Sequence, residues 1–268
     1  MGEFGRGTMA LAVFSPLVAA CSSAASNAGG SEQTTSTGAT ASEDNPSSTT
    51  TSRTEASTEN GAGGGTDGQQ LQWARANLGF VSAYVLARGN SAAIIDTGSA
   101  GSAETIGQTL QSMGLNYSDV EHLILTHKHG DHAGSLAEVM QSATSAKVYA
   151  GEADLGGIDD SPVDDGIVPL LGGEDVFGLQ IVSSPGHTAG HVCAFDATTG
   201  LLVAGDALFT EGGQVVEGPE RFFEDIPQSR QTIRDLAALS YNTLLVGHGD
   251  PIEGDASEAV GRLAATLS

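Results

Sequence analysis

From position 84 onward the chain alternates short, almost purely apolar runs with stretches in which apolar residues recur every three or four positions. Residues 84–87 and 92–96 flank the turn at 88–91 and predict two early strands. Ile106, Leu110 and Met113 share one face of the segment 103–113, which predicts a helix closed by Gly114. A buried strand is expected at 122–126, a helix at 134–141, and further strands at 147–150, 179–183, 192–196 and 201–204. A helix at 228–239 leads to a last strand at 243–246. Strands interleaved with helices indicate the α/β class. Several of these strands end by delivering a His or an Asp to a loop, the place where α/β folds put their sites.

The first 69 residues follow no such pattern. Residues 22–69 are almost wholly Ser, Thr, Gly, Ala and acids. Too little apolar surface is present to offset the entropy of ordering such a segment, so 21–69 is expected to be a disordered tether. That leaves 70–268 as one folded domain. Residues 9–20 form an apolar run of signal-peptide length, well short of the ~20 residues a membrane span needs. The run ends in Val18-Ala-Ala-Cys21, which resembles a bacterial lipobox. Residues 1–20 are therefore expected to be a signal peptide and Cys21 the lipidation site. The domain would sit outside the cytoplasm, touching the membrane only through that anchor. The alternative is an ordinary secretory signal, since residues 1–8 offset their one Arg with a Glu.

Charge narrows the partners. The net charge is −23, and from residue 70 onward 26 acids face eight bases. A surface this negative repels phosphate backbones, so a small molecule and not a nucleic acid is the expected ligand. Only Lys128 and Lys147 are lysines, a composition also found in salt-loving organisms, where ionic strength screens the repulsion. Two cysteines make no disulfide framework, and Cys193, inside an apolar run, reads as a buried small hydrophobe.

The chemistry concentrates in Thr126-His-Lys-His-Gly-Asp-His-Ala-Gly134. Three imidazoles and a carboxylate in six residues, straight after a strand, are donors that suit zinc at neutral pH. His127 and His129 can turn to one metal while Asp131 and His132 face another. Further donors stand at later strand ends: His187 in Pro-Gly-His-Thr, Asp206 in Ala-Gly-Asp-Ala and His248 in Val-Gly-His-Gly. His122 and His191 are expected to be packed residues instead.

In order and spacing these motifs resemble the metallo-β-lactamase superfamily, over about residues 78 to 252. The resemblance implies a four-layer αββα sandwich with two divalent metal ions, zinc above all, at one edge. It assigns His127, His129 and His187 to the first metal, Asp131, His132 and His248 to the second, and Asp206 to both. Asp96 in Ile-Asp-Thr-Gly matches a position that supports the ligands from behind. A metal-activated water would attack a carbonyl, with Asp131 orienting it and carrying a proton. A carboxylate at 206 is similar to the thioesterase, lactonase and phosphodiesterase branches, whereas the true β-lactamases carry Cys or Ser there. Charge disfavours the phosphodiester. The chain runs only 20 residues past His248, which weakens the expectation of a glutathione thioester. An ester, lactone or thioester is therefore the expected substrate.

Two other readings stand beside it: a mononuclear iron enzyme similar to the persulfide dioxygenases, and a non-catalytic metal-binding lipoprotein. Two loops, 155–175 and 209–225, are candidates for the pocket wall. The competing and favoured reading of the second is a surface loop with Phe222 and Phe223 tucked into the core.

Overall fold

In the computed structural model, residues 70–268 are described. The leader, the tether and Cys21 lie outside the described residues. Six strands form the first sheet: β1 (Gln72–Asn77), β2 (Ser82–Arg88), β3 (Ser91–Ile95), β4 (Val120–Leu125), β5 (Lys147–Gly151) and β6 (Val168–Leu170), in that spatial order. The second holds β7 (Asp175–Val176), β8 (Leu179–Ser183), β9 (Val192–Asp196) and β10 (Leu201–Gly205). A hairpin of β11 (Phe209–Glu211) and β12 (Gln214–Val216) stands apart, and β13 (Thr243–Val246) and β14 (Ile252–Glu253) complete the second sheet in the order β14-β13-β10-β9-β8-β7. The helices are α1 (Ala103–Ser112), α2 (Gly130–Ala133), α3 (Leu136–Met140), α4 (Ile226–Ala237) and α5 (Ala256–Ala264).

The apolar runs are unbroken because both faces of each sheet are buried. In β2, Tyr84 and Leu86 point to the seam between the sheets, while Ala83, Val85 and Ala87 pack with Ile106 and Leu110 of α1. In β10, Leu201 and Val203 face the seam, while Leu202 and Ala204 pack with Ile233 and Leu236 of α4 and Val260 of α5. The period-2 geometry of a strand thus sorts one hydrophobic run into two cores. The result is the four-layer αββα sandwich. Cys193 is buried in the outer core beside α4, as expected.

Several predicted boundaries move. The helix expected at 134–141 is α3 alone, preceded by the separate one-turn α2. The break falls at Gly134, where a Cβ would meet the Gly130 carbonyl oxygen at 2.2 Å. Helix α4 starts two residues early because the Asp225 carboxylate caps it, accepting from the Gln228 N–H at 3.0 Å. Edge strand β1 escaped prediction because only Ala76 in it is fully buried, and α5 was also missed. Among the described residues no helix is long and apolar enough to cross a membrane.

Candidate metal centre

Strand ends build the site. Beyond β4 the chain passes Thr126, His127, Lys128 and His129, then turns through α2, which carries Asp131 and His132. The Thr97 N–H fixes this turn by donating to the His132 carbonyl oxygen at 2.6 Å. His187 follows β8, Asp206 follows β10 and His248 follows β13, three strands that run in one direction and end at the same edge. A Cβ on Gly247 would lie 2.1 Å from Asp206 Oδ1, so glycine is the residue that lets β13 end against the cluster.

All seven donors predicted from the sequence meet at this edge. His129 Nδ1 lies 3.0 Å from His127 Nε2 and 2.9 Å from His187 Nε2. His248 Nε2 lies 3.3 Å from Asp131 Oδ2, and His132 Nε2 lies 4.0 Å from the same oxygen. Asp206 stands between the groups: Oδ1 is 3.2 Å from His132 Nε2, and Oδ2 is 3.2 Å from His248 Nε2 and 3.4 Å from His187 Nε2. Among the described residues three triads have the spacing to hold an ion: His127 with His129 and His187, His127 with His132 and Asp206, and Asp131 with His132 and His248.

Hydrogen bonds behind the rings fix their tautomers. Asp96 sits at φ 63°, a left-handed conformation at the end of β3 that aims its carboxylate at the site. That carboxylate accepts from the Thr126 N–H at 2.7 Å, from Thr126 Oγ1 at 2.8 Å and from His132 Nδ1 at 2.8 Å. With its proton given to Asp96, Thr126 Oγ1 can only accept from His127 Nδ1, 3.0 Å away. His248 Nδ1 donates to the Phe80 carbonyl oxygen at 2.7 Å. Three imidazoles therefore use Nδ1 outward and turn Nε2 inward as the atom available to a metal, the arrangement that orients metal-binding histidines.

The donor set fits divalent cations. His132 Nε2 and Asp206 Oδ1 are buried, face each other and have no hydrogen-bond partner. Two lone pairs so placed repel unless a cation lies between them. In the metal-free protein a proton takes that place. Burial alone would depress His132, but the Asp206 and Asp96 carboxylates raise it well above its usual value. Burial would likewise raise Asp206, but His132 and His248 hold it well below the carboxylate range. His187, pushed down to about 4 first by burial, is neutral and ready to ligate.

Above the cluster opens a cavity of about 550 Å³ lined by His129, Asp131, His187, Asp206 and His248 with Gly130, and by Phe80, Phe209, Pro219 and Phe222. The His248 ring is sandwiched between Phe209 (5.4 Å, 6° between planes) and Phe80 (5.9 Å, 16°). Phe223 meets the His187 ring edge-on at 5.1 Å. The expectation that Phe222 and Phe223 are tucked into the core is therefore corrected: Phe222 is half exposed on the cavity wall. The Gly218 backbone runs so close to the Phe209 ring that a Cβ would stand 2.4 Å from it, which brings this segment against the site. The 155–175 loop contributes nothing to this cavity.

Three residues of the site were not singled out for it by the sequence. His191, expected to be packed, is buried, but its Nε2 also accepts from the Asp206 N–H at 3.1 Å while its Nδ1 meets Ser184 Oγ at 2.8 Å. Burial lowers it to about 3, which keeps Nε2 free to accept. Asp154, fully buried, accepts from the Lys128 N–H (3.1 Å), Thr188 Oγ1 (2.6 Å) and the Gly190 N–H (3.0 Å). It thereby joins the loop of His127 and His129 to the loop of His187. Phe80 lies in the turn between β1 and β2, where a lone aromatic carries no signal of function. Asp154 gave no local signal, because it stands among other acids, Glu152, Asp159 and Asp160, beyond β5.

Paired His and Asp clusters at one edge of an αββα sandwich define a class of metal-site proteins. Residues 76–248 match the family model of the metallo-beta-lactamase superfamily, and the chain belongs to that family. A Bacillus subtilis protein, YobT, uncharacterised, is 31% identical over 196 residues, which is 63% of this chain and 83% of its own length. A hydroxyacylglutathione hydrolase of Cereibacter sphaeroides is 34% identical over 54% of this chain and 52% of its own length, so the chain spans about half of that relative. Among solved structures, a metallo-beta-lactamase family protein of Thermus thermophilus superposes with a TM-score of 0.57 at 23% identity, over 73% of this chain and 78% of that one. TTHA1623, solved in a di-iron-bound form, gives 0.55 at 24%, over 70% and 95%. At these identities the likeness to solved structures is one of fold.

Proposed function

We propose that the protein is a hydrolase that holds two divalent cations, zinc by the chemistry of its donors, and cleaves a carboxylic ester, lactone or thioester. The observation that carries this reading is Asp206, whose two oxygens lie within 3.4 Å of His132, His187 and His248 and so face both groups of donors. Two cations held this way supply Lewis acidity for a carbonyl oxygen and acidify water. His127, His129 and His187 would hold the first, and Asp131, His132 and His248 the second, with Asp206 shared.

Asp131 lines the cavity floor and is only partly buried. A hydrogen bond from His248, outweighing burial, keeps its carboxyl below the usual range, so the group is ionised and able to accept a proton from the attacking water. We assign it the transfer of that proton to the leaving group. An Asp131→Ala protein with unchanged turnover and metal content would remove this role. The hydroxyacylglutathione hydrolases among the relatives support acyl cleavage as the chemistry. Metal analysis with an ester panel tests the whole: about two zinc ions per chain and ester cleavage support it, whereas one iron with oxygen uptake would favour the dioxygenase reading.

For location, the apolar run at 9–20 and the motif ending in Cys21 support a lipid-anchored protein outside the cytoplasm. Incorporation of labelled palmitate that persists in Cys21→Ala would refute it.

A further inference from the structure

We infer that the substrate is an uncharged ester, lactone or thioester with a hydrocarbon body, and that anionic substrates are rejected. The inference rests on the hydrolytic reading above and adds what the wall of the cavity selects.

Apart from Gly130 and the metal-binding side chains, the lining consists of Phe80, Phe209, Pro219 and Phe222. No Lys or Arg belongs to it. Recognition of a carboxylate or phosphate commonly uses the forked donors of Arg or the charge of Lys, and the nearby cations are engaged elsewhere. Lys128 Nζ lies 2.7 Å from Glu224 and 3.5 Å from Asp154. Arg75 pairs with Asp250 at 2.8 Å and Arg230 with Glu217 at 2.8 Å. The Arg221 guanidinium lies over the Phe222 ring, 4.3 Å from its centroid, and is not part of the lining.

A second observation is independent of charge. Among the described residues four large hydrophobic side chains are exposed, and two of them, Phe80 (66%) and Phe222 (49%), stand on this cavity. Apolar surface left open around a polar floor is removed from water when a hydrocarbon ligand lies on it. The protein's own field points the same way, because a chain of net charge −23 repels an approaching anion. A carbonyl at the floor with an alkyl chain against the rings satisfies all three observations. A glutathione thioester, whose peptide carries two carboxylates, satisfies none of them.

The test uses the zinc-loaded protein and p-nitrophenyl esters from acetate to octanoate, beside ω-carboxylate esters of matched length. We expect kcat/KM to rise with chain length, by up to about fourfold per methylene, the value of a fully buried CH₂. Each ω-carboxylate ester should react at least about tenfold more slowly than its neutral match, since its charge finds no partner. Phe222→Ala should flatten the chain-length rise with bound metal unchanged. Equal rates for neutral and anionic esters, or no dependence on chain length, would overturn the inference while leaving the hydrolase reading intact. If no ester, lactone or thioester is cleaved, calorimetry with hexanamide and its ω-sulfonate analogue separates the two claims. Tighter binding of hexanamide keeps the pocket assignment and removes the hydrolase; binding of neither, or of the sulfonate equally well, removes both.

Discussion

The floor and the wall of one cavity are built on opposite principles. At and beneath the floor Asp206, His127, His132, Asp96 and His191 are almost wholly buried, and each is tied by a hydrogen bond to a neighbouring residue, strand end or loop. On the wall Phe80 and Phe222 are exposed, and the segment carrying Phe222 is held by contacts of Glu224 with Lys128 and the Ala189 N–H and by the Glu224 and Asp225 N–H groups, which donate to the His187 and Gly186 carbonyl oxygens. Metal chemistry needs donors fixed within tenths of an ångström, which only packed strand ends provide. Selection of an acyl group needs area and shape, which loops supply and can change without disturbing the floor.

The largest break in this contrast should come from the shared donor. Asp206→Ala is expected to bring ester hydrolysis to background and to lose about one metal ion per chain, read by turnover and mass spectrometry. Stripping both ions with a chelator should lower the melting temperature by roughly 10 °C, because a ligand that binds only the native state stabilises it by several kcal/mol. An unchanged melting curve would mean the floor is rigid without metal.

The pH response of the stripped protein sharpens the point. Burial works against protonation of His248, but Asp131 and Asp206 raise it to about 10. A raised histidine contributes stability that is complete below its unfolded value near 6.5 and is lost as pH climbs through about 10. The stripped protein should therefore lose melting temperature across that window relative to the loaded one, where a cation replaces the proton. Parallel curves would count against the pairing.

Smaller effects come from the residues behind the floor. Asp96→Asn or Asp154→Ala should weaken metal binding about 10- to 100-fold, as removal of outer hydrogen-bond partners does. Metal titration reads this directly, and Asp154→Asn should recover part of the loss because one oxygen still accepts. The smallest effect belongs to the wall: Glu224→Gln breaks a partly exposed pair, so KM should rise less than about threefold and mainly at low salt. A large loss of metal in that variant would erase the distinction between floor and wall.

The floor was legible in the chain itself because ligation restricts residue type. His and Asp gathered after apolar strands, five of the seven with a glycine neighbour, leave few other chemical explanations. The layers were legible for the same kind of reason, since uninterrupted runs such as 92–95 and 201–204 suit strands covered on both faces. The wall was not legible, because phenylalanine in a loop looks the same whether it closes a core or lines a pocket. Phe222 was misplaced on that account. Asp154 and His191 were also unreadable: their partners, Lys128, Thr188 and Gly190 for one and Asp206 for the other, are distant or non-motif positions whose meeting no local pattern encodes.

Sequence by itself thus determined which donors the protein carries, the strands that present them and the acidic field around them, since each follows from residue type and spacing along the chain. Tertiary structure alone decided that Asp206 faces both halves of the cluster, that Asp154 and His191 hold the ligand loops, and that four apolar side chains from two separate segments form one wall. Those relations are distances between parts of the chain up to 142 positions apart, from Phe80 to Phe222, and only packing of the two sheets sets them.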